Sequence, residues 1–320
     1  MTLVDSIVAA AGRIGPSIRE TPLLLSPGIS EVVGTRVFLK CENLQVTGSF
    51  KARGAVNKIL GLTPAERSRG VVTASSGNHG VATAYAGQRA QLVPTVYLPE
   101  NAAPMKVAKI KKLGATVVFF GKDSGLSEIE ARRVADRTGQ VYVSPYNDLD
   151  IVAGQGTIGL ELAAQCPTLG AAIIAVGGGG LIGGIATYLD HAIPAALVIG
   201  SSPKNSSVMV ESVRQGKIVD PPSLPTLSDG TAGGVEPGTL TLELCQRLVD
   251  DYDLPTEEEI AEAMRLVFES ERLLVEGSAG VAVATAIRLK DRLRGLDVVI
   301  VLCGGNVSAD TWCQVVRSGR

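Results

Sequence analysis

The stretch AAIIAVGGGGLIGG, residues 171–184, runs a strand-like apolar segment directly into four glycines and then into the helix-like LIGGIATYL. Without Cβ atoms, Gly177, Gly178, Gly179 and Gly180 let several backbone N–H groups converge, and the following helix directs its positive dipole end at the same point. A phosphate is favoured there. Gly178, Gly180 and Gly183 also fit the G-x-G-x-x-G spacing of a dinucleotide site. That chemistry wants an acid at the end of the next strand for the ribose hydroxyls, and ALVIGSS ends in Gly200, Ser201 and Ser202. The expected ligand is therefore a phosphate that is not part of a dinucleotide.

Outward from this stretch, short β-branched runs alternate with Ala-rich amphipathic segments: RVFLK then KARGAVNKIL, VVTA then HGVATAYAGQRA, TVYL then PMKVAKIKKLG, TVVFF then SEIEARRVADRTG. Repeated βα order implies parallel sheet covered by helices on both faces. After residue 150 the pattern resumes through IVAGQGTIGLELAAQ, AAIIAV, LIGGIATYL, ALVIG, VAVATAIRL and DVVIVLC. These units are too many for one mononucleotide-sized lobe, so the expected fold is α/β, with two parallel-sheet lobes and a cleft between them. The polar, Pro- and Gly-rich segment 202–238 reads as loops near that cleft.

The bulk composition narrows the chemistry. In 320 residues there are 30 basic and 32 acidic side chains, a formal net charge of −2, and no basic run that would suit nucleic acid or an anionic membrane surface. No apolar run reaches the roughly 18 residues of a membrane span, and the N-terminal MTLVDSIVAAAGRI carries an acid where a secretory leader has its basic region. A cytoplasmic protein acting on a small molecule is expected. The five cysteines (Cys41, Cys166, Cys245, Cys303, Cys313) lack C-x-x-C spacing, as reduced thiols do. With His79 and His191 as the only histidines, a poly-histidine metal site and a Ser-His-Asp hydrolase are both poorly supplied.

Three further loops carry chemistry. SSGNHG, residues 75–80, follows the strand-like VVTA and precedes a helix, so two hydroxyls, an amide and a helix N-terminus suit a carboxylate or a phenolic oxygen. Cys303-Gly304-Gly305-Asn306 ends the strand-like DVVIVL and, in a parallel sheet, lies on the same edge as the four glycines, where ligands bind. TGSFKARG, residues 47–54, places Lys51 among small residues at a turn into a helix. A phosphate cradle, an amine able to form an imine, an amide for a phenol and a small donor for a ring nitrogen are the groups that hold pyridoxal phosphate.

SFKARG, SSGNHG, GQGT, GGGGLIGG and CGGN, in this order and across nearly the whole chain, resemble the fold-type II pyridoxal-phosphate enzymes, in the serine/threonine dehydratase and serine racemase branch. The resemblance implies a tryptophan synthase β-like fold with pyridoxal 5'-phosphate in the cleft. Residues 1–65 and 149–320 would form a large cofactor-binding domain, and 66–148 a small, mobile domain that closes on substrate. It implies that Lys51 carries the cofactor as a Schiff base, that Phe50 and the Gly230 region flank the ring, and that Asn78 bonds the phenolic oxygen. Gly177 to Gly180 would hold the phosphate, Cys303 would face the ring nitrogen with Glu276 nearby, and Ser75, Ser76, Asn78 and His79 would receive the substrate. The implied reaction is loss of water from a β-hydroxy-α-amino acid to give a 2-oxo acid and ammonia. Ser76 occupies the position from which racemases return a proton, so racemisation is the alternative. A β-replacement synthase fits less well, because that branch reads threonine where His79 stands. A homodimer or higher homo-oligomer is the expected assembly.

The chain departs from the branch in two places. A divalent cation held by a glutamate and an aspartate would fall at Ser202 and Val208, and no carboxylate occurs between them, so no metal is expected. The arginine that racemases place near the substrate aligns with Ser127, although Arg132 and Arg133 follow. Bulkier substrates such as phenylserine or hydroxyaspartate are therefore expected candidates beside serine and threonine. With no second regulatory domain read after residue 320, feedback control of the isoleucine-pathway type is not expected.

Overall fold

The computed structural model describes residues 2–317. Ten strands form in chain order: β1 (Leu23–Leu25), β2 (Val37–Lys40), β3 (Val71–Ala74), β4 (Thr95–Leu98), β5 (Thr116–Phe119), β6 (Val141–Tyr142), β7 (Leu169–Ala175), β8 (Leu197–Ser201), β9 (Asp251–Asp253) and β10 (Asp297–Val301). They build two sheets, one ordered β1-β2-β10-β7-β8-β9 and the other β5-β4-β3-β6. All pairings are parallel except β1 with β2, which run antiparallel from Leu23 opposite Lys40 to Leu25 opposite Phe38. The sequence expectation of parallel lobes holds, and the antiparallel edge is an addition to it. An edge strand covered on one side needs no β-branched run, and Leu24 and Leu25 remain partly exposed.

β7 and β10 are the most buried strands and sit side by side, which sets the Gly177–Gly180 turn and the Cys303–Asn306 turn next to each other at one sheet edge. The main core lies on both faces of this sheet, from Ile29 and Leu39 through Ile173, Ile182 and Ile199 to Val281 and Val299. A separate cluster of Ala55, Val56, Ile59, Val71, Ala82, Ala86, Val143 and Ile151 joins the helix Lys51–Leu60 to the smaller sheet. That helix therefore lies between the lobes. It meets the helix Leu149–Gln165 at backbone distance: a Cβ on Gly154 would sit 2.6 Å from the Gly54 Cα, so neither position has room for a side chain.

All four strands of the smaller sheet fall between residues 71 and 142, within the 66–148 segment, whose first boundary lies inside the short helix Pro64–Arg69. Within the 202–238 loop region a further helix forms, Val208–Gln215, and its apolar residues Val208, Met209 and Val210 are buried. Among the described residues no helix is long and apolar enough to cross a membrane.

Candidate functional site

Lys51 is the first residue of its helix and follows Phe50, whose N–H donates to the Cys303 carbonyl at 3.0 Å. Ser49 bridges to Gly304, and Gly305 N donates to the Gly48 carbonyl at 2.9 Å, so the Lys51 approach and the end of β10 are knitted backbone to backbone. The Lys51 amine donates to the Pro145 carbonyl at 2.8 Å and lies 5.1 Å from the centre of the Phe50 ring. Burial pulls its pKa down from 10.5 to about 8, against the opposing pull of Cys303 and Glu276. About a tenth of the amine is therefore neutral, and so nucleophilic, at pH 7, and about half at pH 8.

The serine loop enters the same region from the other lobe. β3 delivers Ser75, Ser76 and Gly77, all half-buried, to the start of the helix Asn78–Arg89. Ser75 Oγ accepts from the Gly77 N–H at 3.2 Å. His79 is buried, and its Nε2 meets the Val143 carbonyl at 2.9 Å. Because a carbonyl can only accept, this nitrogen carries the proton, and burial with the nearby Lys51 charge pushes the pKa down to about 3. A neutral imidazole so placed anchors the loop and leaves the backbone of residues 77–79 at the helix start.

Asn78 and Glu276 meet directly across the cleft. Asn78 Nδ2 donates to both Glu276 oxygens at 2.9 and 3.0 Å. Asn306, quoted in the CGGN motif but given no role there, donates through Nδ2 to Asn78 Oδ1 at 2.7 Å and to the Thr47 carbonyl at 3.0 Å. Lys109 Nζ donates to Asn306 Oδ1 at 2.9 Å. Glu276 is 5% exposed, and burial pushes its carboxyl above the usual range despite the Asn78 hydrogen bond. A Cβ on Gly304 would reach 2.6 Å from Glu276 Oε1, so only glycine fits there, and Glu276 is held at the β10 turn by the Asn306 N–H donating to Oε2 at 3.2 Å. Cys303 is buried, and that burial raises its thiol well above the ordinary value, with Glu276 adding to the rise. It is a neutral thiol. Gly230 lies beside Glu276: its missing Cβ would meet Ser278 Oγ at 2.7 Å and Glu276 Oε1 at 3.5 Å.

The four-glycine turn closes the site. Gly179 takes the left-handed conformation (φ +81°) as N-cap of the helix Gly180–Ala192. A Cβ on Gly178 would land 2.4 Å from the Tyr146 ring, and one on Gly177 2.9 Å from Thr231 Cα. The turn thus exposes only backbone, and the first helical N–H groups have no partner within their own helix.

These groups fit pyridoxal phosphate. The donor set comprises a partly neutral amine, a bare-backbone anion cradle at a helix start, a side-chain amide and a neutral thiol at neighbouring strand ends. Ser49 Oγ adds a fully buried hydroxyl without a partner beside the amine's helix. Among the described residues no group of three or more His, Cys, Asp or Glu could hold a metal; Ser202 Oγ instead donates to the Val176 carbonyl at 2.6 Å, and Val208 is buried in the core. Ser127 is likewise internal to the small lobe, donating to the Phe120 and Asp123 carbonyls.

Known proteins are similar to this chain in sequence and fold. The L-threonine ammonia-lyase of Thermotoga maritima is 39% identical over 319 residues, covering 100% of this chain and 79% of that protein. The structure of maize serine racemase matches with a TM-score of 0.91 at 33% identity, over 99% of this chain and 97% of that one. The processed form of threonine deaminase isoform 2 from Solanum lycopersicum gives a TM-score of 0.93 at 31% identity, over 98% and 92% of the two chains. The model of the family described as "Pyridoxal-phosphate dependent enzyme" matches residues 14–304. With a family match across most of its length and full-length relatives of the same fold, the chain belongs to the pyridoxal-phosphate-dependent enzymes of fold type II, and its cofactor is pyridoxal 5'-phosphate.

Proposed function

We propose that the protein removes water from a β-hydroxy-α-amino acid, releasing a 2-oxo acid and ammonia, with Lys51 as cofactor carrier and as base. The observation that carries this reading is the Lys51 amine, half neutral near pH 8, set between the serine loop of one lobe and the β10 turn of the other. When bound, pyridoxal phosphate supplies an aldehyde that joins an amine and an electron sink that acidifies the substrate Cα–H. Once the substrate amine takes its place on the aldehyde, Lys51 Nζ would be free to take the Cα proton and pass it to the β-hydroxyl, which leaves Cβ as water, and one water added back to the dehydrated amino acid releases the 2-oxo acid and ammonia. The hydroxyls of Ser75 and Ser76, the Asn78 amide and the His79 backbone hold the substrate carboxylate at the helix start. Gly177 to Gly180 hold the phosphate. Phe50 and Gly230 bound the ring, and the neutral Cys303 thiol leaves the ring nitrogen mostly unprotonated, which favours elimination over transamination.

Residues 66–148 act as the closing lobe. Supporting this are the polar contacts that span the cleft: Asn78 with Glu276, Lys109 with Asn306, and Arg132 with Glu236. The substrate range extends to phenylserine or hydroxyaspartate. Ser127 stands where racemases carry an arginine, Arg132 is paired with Glu128 and Glu236, and Arg133 with Glu130. The second reading is racemisation, favoured by Ser76, a half-buried hydroxyl free of side-chain hydrogen bonds among the described residues and placed to return a proton to Cα. Function in the cytoplasm as a homo-oligomer completes the proposal.

Incubating the cofactor-loaded protein with L-threonine, L-serine, phenylserine and hydroxyaspartate tests it. Release of a 2-oxo acid and ammonia from at least one is expected. Inversion of serine without ammonia would favour the racemase reading, and cysteine formation from O-acetylserine and sulfide, with no ammonia from any hydroxy acid, would overturn both.

A further inference from the structure

Arg53 stands two residues beyond Lys51 on the same helix, and nothing above gives it a part. Its side chain is fully buried. Nε and Nη2 donate to the two oxygens of Glu42 at 2.9 and 2.7 Å, forming one fork. Nη1 and Nη2 donate to the two oxygens of Glu161 at 2.6 and 2.9 Å, forming a second. Nη1 also donates to Thr157 Oγ1 at 3.0 Å. The surroundings complete the balance of charge: Lys40 Nζ donates to Glu161 Oε2 at 2.5 Å, and Thr21 Oγ1 donates to Glu42 Oε1 at 2.5 Å. Two cations and two carboxylates thus neutralise one another inside the protein.

A planar guanidinium held by a carboxylate along each of two edges resists both sliding and turning, which a single lysine ammonium does not. Glu42 lies just after β2, in the segment that leads to Lys51, while Glu161 lies on the helix Leu149–Gln165 packed against the Lys51 helix. One side chain therefore fastens the first turn of that helix on both sides. The backbone before Lys51 is tied to the β10 turn, but the Lys51 side chain has no comparable restraint of its own: Phe50 offers no side-chain cap, and the amine makes its hydrogen bond to a carbonyl of the other lobe's border. Buried ion pairs add little net stability over apolar packing of the same volume, so stability alone is a weak reason for such a cluster. A reactive amine, in contrast, loses rate steeply when displaced by an ångström or less.

We infer that Arg53 is a positioning residue, whose doubly forked guanidinium fixes the first turn of the Lys51 helix and through it the reach of the Lys51 amine. This rests on the reading of Lys51 as the residue that carries the cofactor. In the holoenzyme, Arg53→Lys keeps the charge and removes the forks. It is expected to melt within about 5 °C of the parent and to lose about tenfold or more in kcat with KM within about threefold. Its visible cofactor band should show altered circular dichroism, and hydroxylamine should strip the cofactor faster. A folded Arg53→Lys protein with parental kcat, dichroism and stripping rate would overturn the inference. So would losses that merely track the unfolded fraction. Should Arg53→Lys not fold, Glu42→Gln, equal in size and still an acceptor, is expected to melt lower because it leaves the buried guanidinium short of a charge, and it carries the same kinetic, dichroism and stripping expectations and the same overturning result. Lys51→Ala separates the two layers: if it still held the cofactor covalently, the reading of Lys51 itself would fail, independently of Arg53.

Discussion

Lys51 shows how far one residue's chemistry depends on its burial. The desolvated amine sits near 8 instead of 10.5, so its neutral, reactive form is lost as pH falls through about 8. Acylation of Lys51 in cofactor-free protein should therefore rise with pH to a midpoint near 8, as read by peptide mass spectrometry; a midpoint at the ordinary lysine value of 10.5 would show that the amine is not desolvated. Cys303 makes a parallel case. Being buried and neutral, it should tolerate Cys303→Ser with almost no change in turnover. Cys303→Asp should instead slow dehydration and raise transamination, measured as cofactor converted to its amine form, once cofactor content and fold are verified. The added carboxylate carries a cost of several kcal/mol if it finds no partner. An aspartate variant that is loaded, folded and as fast as the parent would remove Cys303 from the ring nitrogen.

At the scale of elements, the helix Lys51–Leu60 owes its place to the close approach at Gly54 and Gly154. Gly154→Ala should push the two helices apart and lower stability by about 1–3 kcal/mol, seen as an earlier urea midpoint, with turnover falling as Lys51 shifts. An unchanged midpoint would mean the crossing yields easily. This crossing was half legible: KARGAVNKIL and IVAGQGTIGLELAAQ both read as helices, but the sequence does not say which glycines touch. The strands VVTA and TVYL could be read to the residue because β-branched runs between helical segments leave little choice. β1, β6 and β9 were not legible, since two or three residues cannot display a period. The buried charges were invisible for a different reason: Lys40, Glu42, Arg53 and Glu161 are residue types that normally mark surface, and only tertiary pairing brings them inside. The roles of Asn306 and the Pro145 carbonyl were not legible either, as they come from contacts across the cleft.

At the scale of the whole molecule, two sheets bring the turns of the candidate site against one cleft, with Ser75–Asn78 from the smaller and Gly177–Gly180 and Cys303–Asn306 from the larger. The region of Ser202 and Val208 is tied into the large lobe by backbone acceptors and apolar packing, not by carboxylates. Activity should accordingly survive dialysis against EDTA, and adding Mg²⁺ or Ca²⁺ should leave the rate within about twofold; a several-fold rise would reveal a cation site built otherwise. The ordered motifs made the fold and the cofactor readable because each is a short local turn, whereas substrate choice depends on side chains brought together only by the tertiary fold. Everything proposed for the reaction passes through one covalent link. Borohydride reduction of the holoenzyme, followed by digestion and mass spectrometry, reads that link directly. The pyridoxyl group is expected on the peptide containing Lys51 and on no other lysine; its appearance on another lysine, or its absence from a fully loaded protein, would overturn the assignment of Lys51.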